Sequence, residues 1–141
     1  MSSYWSQDNA IVATIEAANA GATTTQTSDT IDMSKWGRVA FIVQSAEVAA
    51  TSAAVLTVLS GSATGTITTT VGSVVIAANQ DDKQWVYEVN DTKLTQGHRY
   101  VAATLAVTTA TGYFDMIAIA SLSRVGPASD GDLASVTISV A

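Results

Sequence analysis

The sequence predicts an all-β, antiparallel β-sandwich, and three observations carry that prediction. Apolar and polar residues alternate with a period of two along most of the 141 residues. The alternating runs are short and are separated by clusters of Gly, Asn, Asp, Ser and Thr that favour turns. The Thr-rich run at 64–71 favours strand over helix, because β-branched side chains fit a pleated surface.

Residues 11–17, 23–33, 54–60 and 65–77 read as weaker strands, the last in one or two pieces. Behind a Trp36-Gly37 lead-in, Val39, Phe41 and Val43 alternate with Arg38, Ala40 and Ile42. Trp85, Tyr87 and Val89 alternate with Gln84, Val86 and Glu88, which gives a strand with one wet face. Val101, Ala103, Leu105 and Val107 form another inward row. Residues 114–124 are apolar on both faces, with Ile117 and Ile119 on one side and Met116, Ala118 and Leu122 on the other. Such a strand is either central in its sheet or buried against another subunit.

Turns are expected at Ser60-Gly61, 79–82, Gln96-Gly97 and Thr111-Gly112. Residues 90–96 read as a short helical turn capped by Asn90 or Asp91, and 46–54 is the segment where a short helix competes with a loop. About eight short strands at this spacing fit a sandwich or a barrel. The chain divides into an N-terminal arm with the first strand at 1–22, a sandwich at 23–124, and a linker with a C-terminal strand at 125–141. In that last part Val136, Ile138 and Val140 alternate with Thr137 and Ser139 beyond a linker around Pro127, the single proline. A strand hung on a connector in this way either closes its own sheet or adds to a neighbour's exposed edge. Tyr4 and Trp5, two aromatics in a polar N-terminal segment, have an anchor-like character.

Composition narrows the function. Hydrophobic residues make up 48% of the chain and charged ones 13%, the reverse of a disordered chain. Soluble domains usually carry about 25% charged residues, so a surface this sparse in charge is expected to be covered in part by neighbours. The net charge of −6, with the six basic residues scattered, argues against nucleic acid, since phosphate binding needs clustered Lys and Arg. Neither a signal peptide nor a run of about 20 apolar residues for a membrane helix is expected, so the chain is expected to be made in the cytoplasm and to bind no membrane.

The motifs of chemistry are sparse. With no cysteine and a single histidine, only hard carboxylate metal sites remain. Asp130-Gly131-Asp132 has the look of a calcium-loop fragment without the further ligands, and reads as a solvated acidic linker. His98, between a Gln-Gly turn and a strand, reads as a hydrogen-bonded strand-start histidine and not as part of a Ser-His-Asp triad. Gly61-Ser62-Ala63-Thr64-Gly65 has no Gly-Lys-Ser/Thr sequel and reads as a hairpin turn. Trp36 and Trp85 sit where core or interface packing is the common use, with a sugar-stacking platform as the competing use. No catalytic residue and no cofactor is expected, and the chain reads as a non-enzyme working by protein–protein contact.

Two stretches carry a resemblance. Residues 30–43, in which Asp32, Met33, Lys35, Trp36 and Arg38 lead into a hydrophobic strand, resemble the early strand pair of small tailed-bacteriophage virion proteins. Residues 94–101, where a short turn precedes Arg99-Tyr100-Val101, resemble their closing hairpin. These proteins include head decoration (cement) subunits, many of them jelly-roll sandwiches that sit as trimers on the capsid lattice. The resemblance therefore implies a jelly-roll-like sandwich with extended N- and C-terminal arms. It implies a homotrimer whose partner is the major capsid protein lattice, on the outside of the virion. Tyr4, Trp5, Val136, Ile138 and Val140 are the expected intersubunit contacts. A tail, fibre or baseplate component and a carbohydrate-binding sandwich are the competing readings.

Overall fold

The computed structural model describes residues 8–20, 24–107 and 112–124, the side chains of residues 16–20 excepted. Among the described residues nine strands run in the order β1 (Ala10–Ala20), β2 (Thr24–Thr27), β3 (Ile31–Asp32), β4 (Trp36–Val48), β5 (Ala54–Gly61), β6 (Thr69–Ile76), β7 (Gln84–Asn90), β8 (Tyr100–Val107) and β9 (Gly112–Ser123), with a 3-10 turn at Asp91–Lys93 between β7 and β8. They form two antiparallel sheets. The first has the order β1-β9-β4-β7; the second has the order β2-β8-β5-β6, with β3 also on β8.

The pairing is nested. β5 pairs with β6, β4 with β7, β2 and β3 with β8, and β1 with β9. A chain paired in this way is one long antiparallel ribbon folded back at the β5–β6 turn. Two further pairings, β4 with β9 and β5 with β8, roll the ribbon into two sheets. With β2 and β3 counted as one interrupted strand, this is the eight-stranded jelly roll. The first strand is part of the first sheet, because β1 pairs with β9 along its length.

The two-residue period decides what lies inside. Val39, Phe41 and Val43 of β4 meet Met116, Ala118 and Ala120 of β9 across the first sheet, and Leu56 and Val58 of β5 meet Ala103 and Leu105 of β8 across the second. All of these are buried, and Trp36, Phe41, Leu56, Ile76 and Met116 are the bulkiest of the fully buried side chains. The inward row of β8 (Val101, Ala103, Leu105 and Val107) is buried as its alternation predicts.

Where local signals were weak, side chains finish the work. The strand expected over 23–33 is broken at Ser28, whose hydroxyl stands in for a ladder carbonyl. The Ala103 amide donates to Ser28 Oγ at 2.9 Å, and the Ser28 amide donates to the Ala103 carbonyl at 2.8 Å. The segment at 46–54 is neither helix nor free loop. β4 runs on to Val48, and its amide donates to Asp81 Oδ1 at 2.7 Å. The Ser45 hydroxyl donates to the Gln80 carbonyl at 2.5 Å, so the 79–82 turn is pinned to β4 as the chain crosses between sheets. The expected helical turn is the single 3-10 turn at Asp91–Lys93; Asn90 caps it by position without a side-chain hydrogen bond.

Gly61 ends β5 against the following loop. A Cβ there would lie 2.1 Å from the Thr66 carbonyl oxygen, a backbone atom that cannot step aside alone. Its own carbonyl also accepts the Arg99 amide at 3.0 Å. Gly61→Ala is therefore expected to destabilise the domain by about 1–3 kcal/mol, read as a lowered midpoint in urea with an unchanged m-value.

Candidate functional site

In an antiparallel sandwich the outer face of each sheet is normally polar. The first sheet departs from this at its centre. Register places Thr14, Ile117, Ile42 and Val86 in one row across β1, β9, β4 and β7, and Ile11, Ile119, Ala40 and Glu88 in the next. Their inward neighbours in sequence (Met116, Ala118, Phe41 and Val43) are in the core. These side chains therefore point outward by the alternation of the strand. Val86 is 59% exposed and Ile117 37%, and Ile11, Ala40, Ile42 and Ile119 are half-buried. The result is an apolar band crossing four strands, with Glu88 as its one charge.

Polar rungs bound the band along the strands. At one end Gln84 Nε2 donates to Gln44 Oε1 at 3.2 Å, and Gln44 Nε2 donates to Asp115 Oδ2 at 3.4 Å. At the other end Arg38 Nε donates to Ser121 Oγ at 3.2 Å. An apolar centre with a polar rim is the pattern of a protein–protein contact surface. A cleft of about 460 Å³ lies at the Asp115 rim, lined in part by Gln44, Lys83, Tyr113 and Asp115. Burial pushes the Asp115 carboxyl above the usual carboxylate range.

The other polar clusters clamp the fold. Arg99 grips Asp32 with two parallel bonds, Nε to Oδ1 at 2.7 Å and Nη2 to Oδ2 at 2.5 Å, and its guanidinium lies 5.3 Å from the centre of the Tyr100 ring. That joins the start of β8 to β3 at the outer edge of the second sheet. Arg124 pairs with Asp91 and joins the end of β9 to the turn after β7. His98 Nδ1 lies 2.9 Å from Ser60 Oγ. Ser60 is fully buried, so this hydroxyl closes a packing contact and is not presented to a substrate.

The sequence expectations divide cleanly. β9 is central, between β1 and β4, the first of the two alternatives its composition posed, and its second apolar face is the exposed band. Trp36 is buried, and the partly buried Trp85 packs against the core in register with Val43, so both take part in core packing. Tyr4, Trp5, Val136, Ile138 and Val140 lie outside the described residues, as do Asp130 and Asp132. Sequence reading misses Ile42 and Val86 as surface-patch residues: the alternation puts Val86 on a wet face and assigns the Ile42 face no role. The signal was present in Phe41-Ile42-Val43, three consecutive apolar residues that a strand can only place on two faces.

No protein-family model matches this chain, and no curated protein is significantly similar to it.

The Asp32–Arg99 clamp sets a pH dependence. Hydrogen bonding from Arg99, aided by the Ser34 amide, outweighs partial burial and holds the Asp32 carboxyl well below the usual carboxylate range. A depressed acid contributes stability that is present above its unfolded pKa of about 3.9 and is lost as pH falls toward the folded value. Thermal melts are therefore expected to lose stability below about pH 4, and Asp32→Asn should flatten that part of the profile. Asp115 works in the opposite sense, since a raised acid favours the folded state below its unfolded pKa and loses that contribution as pH rises. Asp115→Asn should accordingly leave the acid-side loss in place.

Proposed function

We propose that this chain is a structural subunit of a tailed-phage virion. It is a decoration (cement) protein that binds the outer surface of the mature head lattice as a homotrimer and stabilises it by contact. The observation that carries this reading is the apolar band on the first sheet, with Val86, Ile117 and Ile42 at its centre. A domain already closed by a complete core has no folding use for that surface, and covering it is worth free energy only when a partner arrives. Low charge suits the same role, because charged residues are depleted from the centre of contact surfaces.

Weak contacts suffice when they are multiplied. Three subunits joined as a trimer present three bands at once, and avidity raises the effective affinity by about 10²–10⁴. A subunit that binds the assembled lattice and not its dissociated parts stabilises the lattice by mass action. The jelly roll is a frequent architecture of capsid proteins, though the same architecture serves lectins and enzymes, so the surface and not the fold carries the proposal.

The test is co-sedimentation with empty, expanded heads of the cognate phage, beside light scattering on the free protein. Wild type should sediment with expanded heads and not with unexpanded ones, and run as a trimer when free. Ile117→Lys places a charge in the centre of the band and should weaken head binding at least tenfold, about 1.4 kcal/mol or more, with the monomer's melting midpoint little changed. Head binding unaffected by Ile117→Lys would remove the band from the contact. Binding to tails or baseplates in place of heads would overturn the decoration reading.

A further inference from the structure

The polar rung at one end of the band has more hydrogen-bonding capacity than the fold uses. Register sets Gln84 of β7, Gln44 of β4 and Asp115 of β9 in one row. Val43, Ser45 and Phe114, beside them in sequence, are buried, so Gln44, Asp115 and Tyr113 point outward. The amides run as a relay, Gln84 Nε2 donating to Gln44 Oε1 and Gln44 Nε2 to Asp115 Oδ2. A primary amide has two N–H donors and a carboxylate about four acceptor positions. The row therefore keeps donors and acceptors for a further partner.

Beyond the rung the surface sinks into the cleft of about 460 Å³, where Tyr113 stands with Ala46, Asp82 and Lys83. That volume lies within the range of about 300–1,000 Å³ typical of small-molecule sites. One wall is the turn after β6, in which Asn79 and Asp82 hold left-handed backbones (φ 57° and 52°). Asn and Asp adopt that conformation more readily than most residues. The turn is fastened to β4. The Ser45 amide donates to the Lys83 carbonyl at 2.9 Å, the Lys83 amide to Ser45 Oγ at 3.2 Å, and the Asp82 amide to the Ala46 carbonyl at 3.3 Å. A wall fixed in this way needs no ordering when a ligand arrives. Clefts beside Asp32 and beside Asp91 are lined instead by members of the ion pairs that clamp the fold.

The lining selects a class of ligand. Asp82 and Asp115 oppose an anion and Lys83 opposes a cation, whereas a neutral hydroxyl both donates and accepts and pairs with all three. An aromatic ring such as that of Tyr113 offers a flat, electron-rich face to polarised C–H groups. Neutral hydroxyls on a ring of C–H bonds are the chemistry of a sugar. We propose that this cleft is a saccharide-binding site for a neutral hexose unit, with Tyr113 against the ring and Gln44, Gln84, Asp115 and Lys83 on its hydroxyls. Asp115 is half-buried, and a hydrogen bond to it is stronger there than in open water. The inference does not rest on the virion reading, since the cleft lies beyond the rung that bounds the band.

The test is amide NMR on the isotope-labelled full chain. It is titrated with glucose, galactose, mannose and N-acetylglucosamine to about 50 mM, beside glucuronate and glycerol. At least one of the neutral sugars should give saturable shifts centred on the amides of Gln44, Lys83, Tyr113 and Asp115, with a Kd of about 10 mM or tighter. Glucuronate should bind about tenfold more weakly than that sugar, and glycerol should not saturate. Asp115→Asn and Tyr113→Ala should each weaken binding about tenfold. Tyr113→Phe keeps the ring and should bind as wild type does, which separates loss of the ring from loss of the fold. The assignment is overturned by saturation with none of the neutral sugars, by shifts centred elsewhere, or by an equal response to glycerol. Glucuronate bound as tightly as the best neutral sugar, or full affinity in Asp115→Asn, would overturn it as well. Heads are absent from the titration, so either result leaves the decoration reading where it stands.

Discussion

The pairing of β4 with β9 is the interaction on which the rest of this structure depends. Without it the chain would be a long ribbon of nested hairpin pairs, β1 with β9 at one end and β5 with β6 at the other. Joining β4 to β9 makes a four-stranded sheet from the first and third pairs of that ribbon, β1 with β9 and β4 with β7, and β5 with β8 does the same for the second and fourth. The register runs from Trp36↔Ser123 to Val48↔Gly112, and it brings Phe41, Val43, Met116 and Ala118 onto one inner surface. Slipping it by one residue would turn every one of those side chains outward. Burial of this row is therefore also what holds the topology.

The same register has a consequence on the other side of the sheet. β4 and β9 are both apolar on two faces at their centres, through Phe41-Ile42-Val43 and Met116-Ile117-Ala118. Once their inner rows are locked, their outer rows lie side by side, with Ile42 beside Ile117 and Ala40 beside Ile119. β7 and β1 extend them with Val86 and Ile11. The exposed band is thus a product of core packing and outer composition together, and mutation of the band leaves the core's own contacts in place. A surface with that independence supports the proposed contact role.

Polar side chains are spent on geometry. Ser28 and Ser45 supply or accept hydrogen bonds where the backbone turns away from the ladder, and Asp81 holds the last residue of β4. Asp32 with Arg99, and Asp91 with Arg124, tie chain ends to neighbouring strands. Among the described residues, no buried side-chain polar atom is left without a partner, as expected where each unmade bond costs about 1–3 kcal/mol. Pairs at the surface such as Asp32–Arg99 fix which strand end sits where, and their modest stabilisation is present at neutral pH and lost on the acid side of the pH profile.

Much of the inward set was legible from the residues alone. Side-chain direction in a strand alternates over two residues, a local property, so the rows of β4, β7 and β8 and the two-sided character of β9 could be read without a partner in view. The sandwich class, the turns at 79–82 and at Gly97, and the helical turn after Asn90 have the same local origin. Strand order, the break at Ser28, the extension of β4 to Val48 and the apolar band do not. Arg99 meets Asp32 across 67 positions of sequence, and Ile117 meets Ile42 only because β9 enters between β1 and β4. The sequence by itself determined which side of each strand is apolar, because that depends on the pleat. Only the tertiary structure decided which apolar sides share a surface, because that depends on pairings between residues far apart in the chain.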